Sequence, residues 1–168
     1  MINTNIRGVI TNVYGAHLHQ QKLDFLRGLD NLQAWVSNEY WTIGGDFNMI
    51  TSLGEMKGGQ RRLEPVCEAF RDLIDWLNLV DMKIGDSLYT WNNKRSGDHH
   101  VASRLDIFLI SKSLFASGAD LPTLVLPSID SDHWPVSLAW NGDGSQLRKP
   151  FRFEAFLLDQ IDIKPCIK

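Results

Sequence analysis

Three short strings in this chain of 168 residues bring together side chains suited to hydrolytic chemistry. Gly44-Gly45-Asp46-Phe47-Asn48 sets a carboxylate and an amide two residues apart at the end of an apolar run. Ser103-Arg104-Leu105-Asp106-Ile107-Phe108-Leu109 carries an Asp inside such a run, and Ser131-Asp132-His133-Trp134-Pro135 pairs a carboxylate with an imidazole. An Asp, an Asn and an Asp–His pair converging at strand ends can hold a divalent metal, a phosphate and an activated water. A strand-end carboxylate such as Asp46 can orient a water, accept its proton or bind a metal. In an extended chain Asn48 falls on the same side, where its amide can donate to a phosphate oxygen. The same Asp-x-Asn spacing also suits an Asx-turn, which does no chemistry.

Asp106 lies in an alternating strand pattern, on the side away from Leu105 and Ile107. A carboxylate there needs a partner, because an unpaired buried charge is costly. Arg104 is expected to be a poor partner within the strand. A histidine from another strand is better, and His133 is the candidate. A carboxylate partner fixes an imidazole's tautomer and favours its cation, a form that can stabilise a phosphate or orient an attacking water. Asp132 faces elsewhere and is available to a metal. The bland alternatives are a solvent-facing Asp106 and a surface His133.

The elements that must position these groups can be read from periodicity. Val9 to Tyr14 reads as a strand, His17 to Val36 as a helix and Trp41 to Ile43 as a buried strand opening into the glycines. Pro65 suits the first turn of a helix whose apolar face is Phe70, Leu73, Ile74 and Leu77. Leu79 to Met82, Tyr89 to Trp91, Arg104 to Ile110, Leu124 to Leu126 and Val136 to Trp140 are further expected strands. Ser111 is positioned to cap a short helix ending at Gly118. Asn141 to Ser145 is a glycine-rich break, so residues 1–140 are expected to form the domain and 141–168 a linker-like tail. Strands mixed with helices point to a layered α/β sandwich.

Composition adds bounds. Hydrophobic residues make up 43% and charged residues 22%, ordinary for a globular protein. A net charge of −3 is not that of a DNA-coating protein, though it leaves room for local phosphate binding. The six tryptophans are expected mostly in the core. With only Cys67 and Cys166, disulfides are not expected. No membrane span or secretion signal is read, so an intracellular site, nucleus or cytoplasm, is expected.

Taken in order, the motifs resemble the C-terminal part of the endonuclease/exonuclease/phosphatase family. Within it, they are most similar to the apurinic/apyrimidinic endonuclease-like domain of plant non-LTR (LINE-type) retrotransposons. The residues that carry the likeness are Asn12-Val13-Tyr14-Gly15, Gly44 to Asn48, Tyr89-Thr90-Trp91, Arg104 to Leu114 and Ser131 to Val136. Lys149 to Glu154 resembles the segment leading toward the reverse transcriptase. The resemblance implies an α/β (α+β) fold, a four-layer αββα sandwich, acting on a DNA backbone phosphate with Mg²⁺ or Mn²⁺. It implies that Asp46 activates the water and Asn48 positions it. His133, held by Asp106, contacts the phosphate, and Tyr14 contacts it or assists the leaving group. Asp132, with Asp46 and Asn48, belongs to the metal site.

The family's early Asn and its metal-binding Glu have no counterpart before Asn12. Asn3 and Asn5 lack the surrounding pattern, and Ala16 stands where Pro is usual. The resemblance therefore implies an N-terminally truncated domain, a sandwich with exposed sheet edges open to association, weak metal binding and weak or lost hydrolysis. Glu39, Glu55, Glu64 and Glu68 are the nearby substitutes for the Glu. The alternatives are a catalytically dead remnant with at most weak DNA binding, and a phosphatase branch of the same family.

Overall fold

The computed structural model describes residues 8–36, 40–59, 62–84, 89–128 and 130–140. The tail from 141 to 168, Asn3, Asn5, Glu39 and Cys166 lie outside the described residues. The strands are β1 (Gly8–Tyr14), β2 (Tyr40–Asp46), β3 (Met56–Lys57), β4 (Leu79–Asp81), β5 (Trp91–Asn92), β6 (Ala102–Ser103), β7 (Asp106–Ser111), β8 (Thr123–Val125) and β9 (Val136–Leu138). The helices are α1 (His19–Val36), α2 (Pro65–Trp76) and α3 (Lys112–Ala116). The fold is thus mixed α/β, as the alternation of periodicities indicated.

The main sheet has the order β1-β2-β7-β4. β1 and β2 run parallel, joined by α1, because a parallel pair needs a crossover. β7 pairs antiparallel with both β2 and β4. One face of the sheet is apolar: Trp41 and Ile43 of β2 and Ile107 and Leu109 of β7 join Leu26 and Leu29 of α1 and Val66, Phe70 and Ile74 of α2 in one core. Phe47, just past β2, anchors this core, stacked on Phe70 at 5.1 Å and meeting Phe25 edge-on at 6.1 Å. Pro65 opens α2 at its first turn, and Ser111 caps α3 by accepting from the Leu114 N–H. Two small sheets, β3-β6-β5 and the β8–β9 hairpin, flank the main one. Among the described residues no helix is long and apolar enough to cross a membrane.

Gly44 and Gly45 lie within β2 rather than in a turn. A Cβ at Gly44 would land 2.3 Å from the Phe108 ring, and Gly45 has φ +142 with the Val13 carbonyl against it. The glycines therefore let neighbouring strands and side chains approach, and that space is filled by protein. The tryptophans also depart from expectation. Trp41 is buried, but Trp35 is 85% exposed and Trp76 and Trp140 are exposed too. Trp76 donates its indole N–H to Asp30 across the two helices at 3.1 Å, on the outer side of α2. Among the described residues β1 forms one edge of the sheet, with Ile10 and Tyr14 exposed on it.

Candidate active site

Strand register builds the site. Asp46 ends β2 directly opposite Asp106, which begins β7. Tyr14, ending β1, pairs with Asp46 on the other side. Cross-strand partners share a face, so Tyr14, Asp46 and Asp106 form a row across one end of the sheet. His133 completes it from a separate loop. Its Nδ1 lies 2.9 Å from Asp106 Oδ2 and its Nε2 lies 3.9 Å from Asp46 Oδ2. An ionised carboxylate only accepts, so Nδ1 carries the proton and Nε2 is turned toward Asp46. The loop is held by main-chain bonds to the β5 region: Asn92 N–H to the Asp132 carbonyl at 3.0 Å and Trp134 N–H to the Thr90 carbonyl at 2.7 Å.

Asn48 reaches the site by a different path from the extended chain expected. Its φ of +51 is left-handed, a conformation asparagine tolerates. Its main-chain N–H donates to Asp46 Oδ1 at 2.8 Å, an Asx-turn. Its side-chain amide donates to Asp46 Oδ2 at 3.0 Å and to the Gly15 carbonyl at 2.8 Å. The turn and the site are therefore one structure, since both Asp46 oxygens are oriented by Asn48.

These residues line an open cleft of about 800 Å³, with Asp132, His17 and Trp91 on its walls. Asp132 is held by the Trp91 indole, which donates to its Oδ2 at 2.8 Å and keeps its carboxyl below the usual range. His17 approaches the Tyr14 hydroxyl at 3.1 Å. His17, Trp91 and the buried Thr90 were not among the candidates read from the sequence. Trp91 and Thr90 belong to the weak Tyr89-Thr90-Trp91 motif, whereas His17 had no signal beyond its place three residues after Tyr14. Arg104, between β6 and β7, is buried, and its guanidinium meets Glu55 and Asp81.

Burial raises the Asp46 carboxyl above its ordinary range, and Asp106 adds to the rise. The Asn48 N–H, His133 and His17 oppose it. The sign for stability follows. A carboxyl raised in the folded state contributes stability below its unfolded value, and that contribution disappears as pH rises through the folded value. Asp46→Asn does not titrate there. The variant should therefore gain on wild type as pH climbs from about 3 to 7, whatever constant cost its altered hydrogen bonds bring. Melting temperatures across that range test this, and a pH-independent difference would contradict it.

A divalent metal of the Mg²⁺ type needs several convergent oxygens. Asp46 gives both oxygens to Asn48, Asp106 gives Oδ2 to His133, and Asp132 gives Oδ2 to Trp91. Among the described residues no three His, Cys, Asp or Glu side chains gather as a metal site. Glu55 is buried against Arg104, and Glu64 faces Lys22 at 3.3 Å. The side chains as placed do not fit the metal.

No family model matches the chain, and no curated protein sequence matches it. Solved structures do. The endonuclease domain of TRAS1, a telomere-specific non-LTR retrotransposon, aligns with a TM-score of 0.54 and 16% identity, over 73% of this chain and 52% of that one. An endonuclease/exonuclease/phosphatase family protein from Bacteroides thetaiotaomicron aligns with a TM-score of 0.50 and 16% identity, over 82% and 51%. The chain spans about half the length of the structures it matches. With its mixed sheet, helical layer and strand-end cleft, the chain has the fold of endonuclease/exonuclease/phosphatase proteins.

Proposed function

We propose that this chain is a phosphodiester-hydrolysing domain acting on DNA, of the kind carried by plant LINE-type retrotransposons, and that its turnover is slow. One observation carries the reading: the imidazole of His133 stands between Asp106 and Asp46 in an open cleft. The ordered motifs and the fold shared with a retrotransposon endonuclease domain support the choice of DNA and of lineage. In the proposed step a water beside Asp46 gives it a proton and attacks the phosphorus in line, the ester P–O bond opposite the water breaks, and the departing sugar oxygen takes a proton from solvent. A carboxylate raised by burial suits a base. Asn48 fixes the direction of that carboxylate. His133, protonated and held through Nδ1 by Asp106, donates from Nε2 to a phosphate oxygen as charge builds there. Tyr14, at the cleft rim, contacts the phosphate or the leaving oxygen.

Slow turnover follows from the donor set. Mg²⁺ is proposed to bind weakly, because among the described residues no three His, Cys, Asp or Glu side chains gather around one point. About 4 kcal/mol of missing charge stabilisation would lower a rate roughly a thousandfold. The same observation favours a second reading, weak DNA binding without hydrolysis. Purified chain and His133→Ala, incubated with supercoiled plasmid at millimolar Mg²⁺ and with chelator, separate the two. Slow nicking seen only at high protein-to-plasmid ratio and absent from the variant is expected. Equal nicking by both proteins, or none, would overturn hydrolysis; rapid multiple-turnover nicking would overturn the slow rate.

A further inference from the structure

Thr90 is 0% exposed although its side chain is polar. Its hydroxyl oxygen accepts two successive main-chain N–H groups, those of Leu105 and Asp106, each at 2.9 Å. Its own N–H donates to the Ser103 carbonyl at 3.0 Å, and its carbonyl accepts the Trp134 N–H at 2.7 Å. One residue is thus bonded to the chain at Asp106 and immediately after His133. This matters because His133 belongs to no strand of the main sheet. Its main-chain pairing is one isolated bridge to Trp91, Thr90's neighbour. The register that sets Asp46 against Asp106 therefore says nothing about where the imidazole lies. A hydroxyl oxygen offers two lone pairs, whereas valine has the same shape and none.

We propose that Thr90 is a positioning residue that sets the separation between His133 and Asp106, its hydroxyl fixing the start of β7 and its carbonyl fixing the loop that delivers the imidazole. Its functional meaning rests on the reading that this pair acts on a phosphate; the positioning itself does not. A purely structural role makes a different prediction. Loss of the hydroxyl would then lower stability and leave the pair unchanged in the molecules that remain folded.

The experiment uses the full chain with ¹⁵N-labelled histidine, at a pH where the imidazole is neutral. Wild type should show His133 protonated on Nδ1. Thr90→Val should shift it toward the Nε2 tautomer usual for free imidazole, and Thr90→Ser should restore the wild-type signature. Thr123→Val serves as a control, since Thr123 is a buried threonine whose hydroxyl holds the Lys83 carbonyl elsewhere, and it should change nothing at His133. Thr90→Cys, with a weak sulfur acceptor of similar size, should give mixed tautomers and guards against a valine variant that does not fold. A folded valine or cysteine variant that keeps His133 wholly Nδ1-protonated would overturn the proposal. In parallel, plasmid nicking should fall at least tenfold in Thr90→Val and recover in Thr90→Ser. Absence of nicking in wild type would sink the hydrolytic reading while the tautomers still decide the role of Thr90.

Discussion

Replacing Arg104 with methionine is expected to destabilise the fold by about 3–5 kcal/mol, the cost of leaving buried charges without their partner. The guanidinium is 2% exposed and donates to Glu55 at 2.8 Å, to both Asp81 oxygens at 2.7 and 2.6 Å, and to the Met82 carbonyl at 3.0 Å. Burial works against its charge, but Asp81 and Glu55 outweigh that and hold its pKa above the ordinary value. Glu55 is itself bound to the N–H and hydroxyl of Thr51. Without the cation, the buried Glu55 loses its charged partner and the half-buried Asp81 keeps only Lys83, at 3.6 Å. A loss of this size is a large share of the 5–15 kcal/mol that typically holds a domain folded. Urea unfolding followed by tryptophan fluorescence measures it, and a loss below about 1 kcal/mol would show that the cluster is solvated rather than buried. A variant that also replaces Glu55 and Asp81 with leucine should recover part of the stability, since removing all the charges removes the desolvation cost.

The second large effect is chemical. His133→Ala should lower whatever hydrolysis the chain performs by about 10²–10⁴-fold, the usual contribution of a positioned acid or base. Asp106→Ala should cost less, because the imidazole remains but loses the carboxylate that aims it. A fluorogenic oligonucleotide assay has the sensitivity needed for a slow enzyme. The side chain of His133 is partly exposed, so its removal should leave the melting temperature nearly unchanged. Equal rates for wild type and His133→Ala would remove this residue from the chemistry.

Much of the site was legible because it lies at strand ends, where local pattern and chemistry coincide. Asp46 follows the apolar run Trp41-Thr42-Ile43, and Asp106 precedes Ile107 to Ile110, so antiparallel pairing of the two runs brings the carboxylates together. Arg104 shows the limit. Strand alternation sets Arg104 on the same side as Asp106, two residues on, yet its guanidinium binds Asp81 and Glu55, 23 and 49 residues away in sequence, and no local rule names them. Asn48 was assigned to the right neighbourhood by the wrong geometry, because a left-handed residue is invisible to a period-of-two argument. Trp35 and Trp76 were expected in the core from residue type, but neither belongs to the apolar face read for its helix, and both are exposed. Asp132 was expected at a metal site; its bond to the Trp91 indole depends on how the His133 loop docks beside β5, which spacing alone does not contain.

The central claim, that one cleft gathers His133, Asn48 and Trp91 around a backbone phosphate, is tested most directly by side-chain NMR during titration with a thymidine dinucleotide. The imidazole of His133, the amide of Asn48 and the indole of Trp91 are expected to shift together and saturably, with Lys112, Trp35 and Trp76 on remote surfaces unchanged. Saturable shifts confined to those remote residues, or none in the cleft at millimolar dinucleotide, would contradict it.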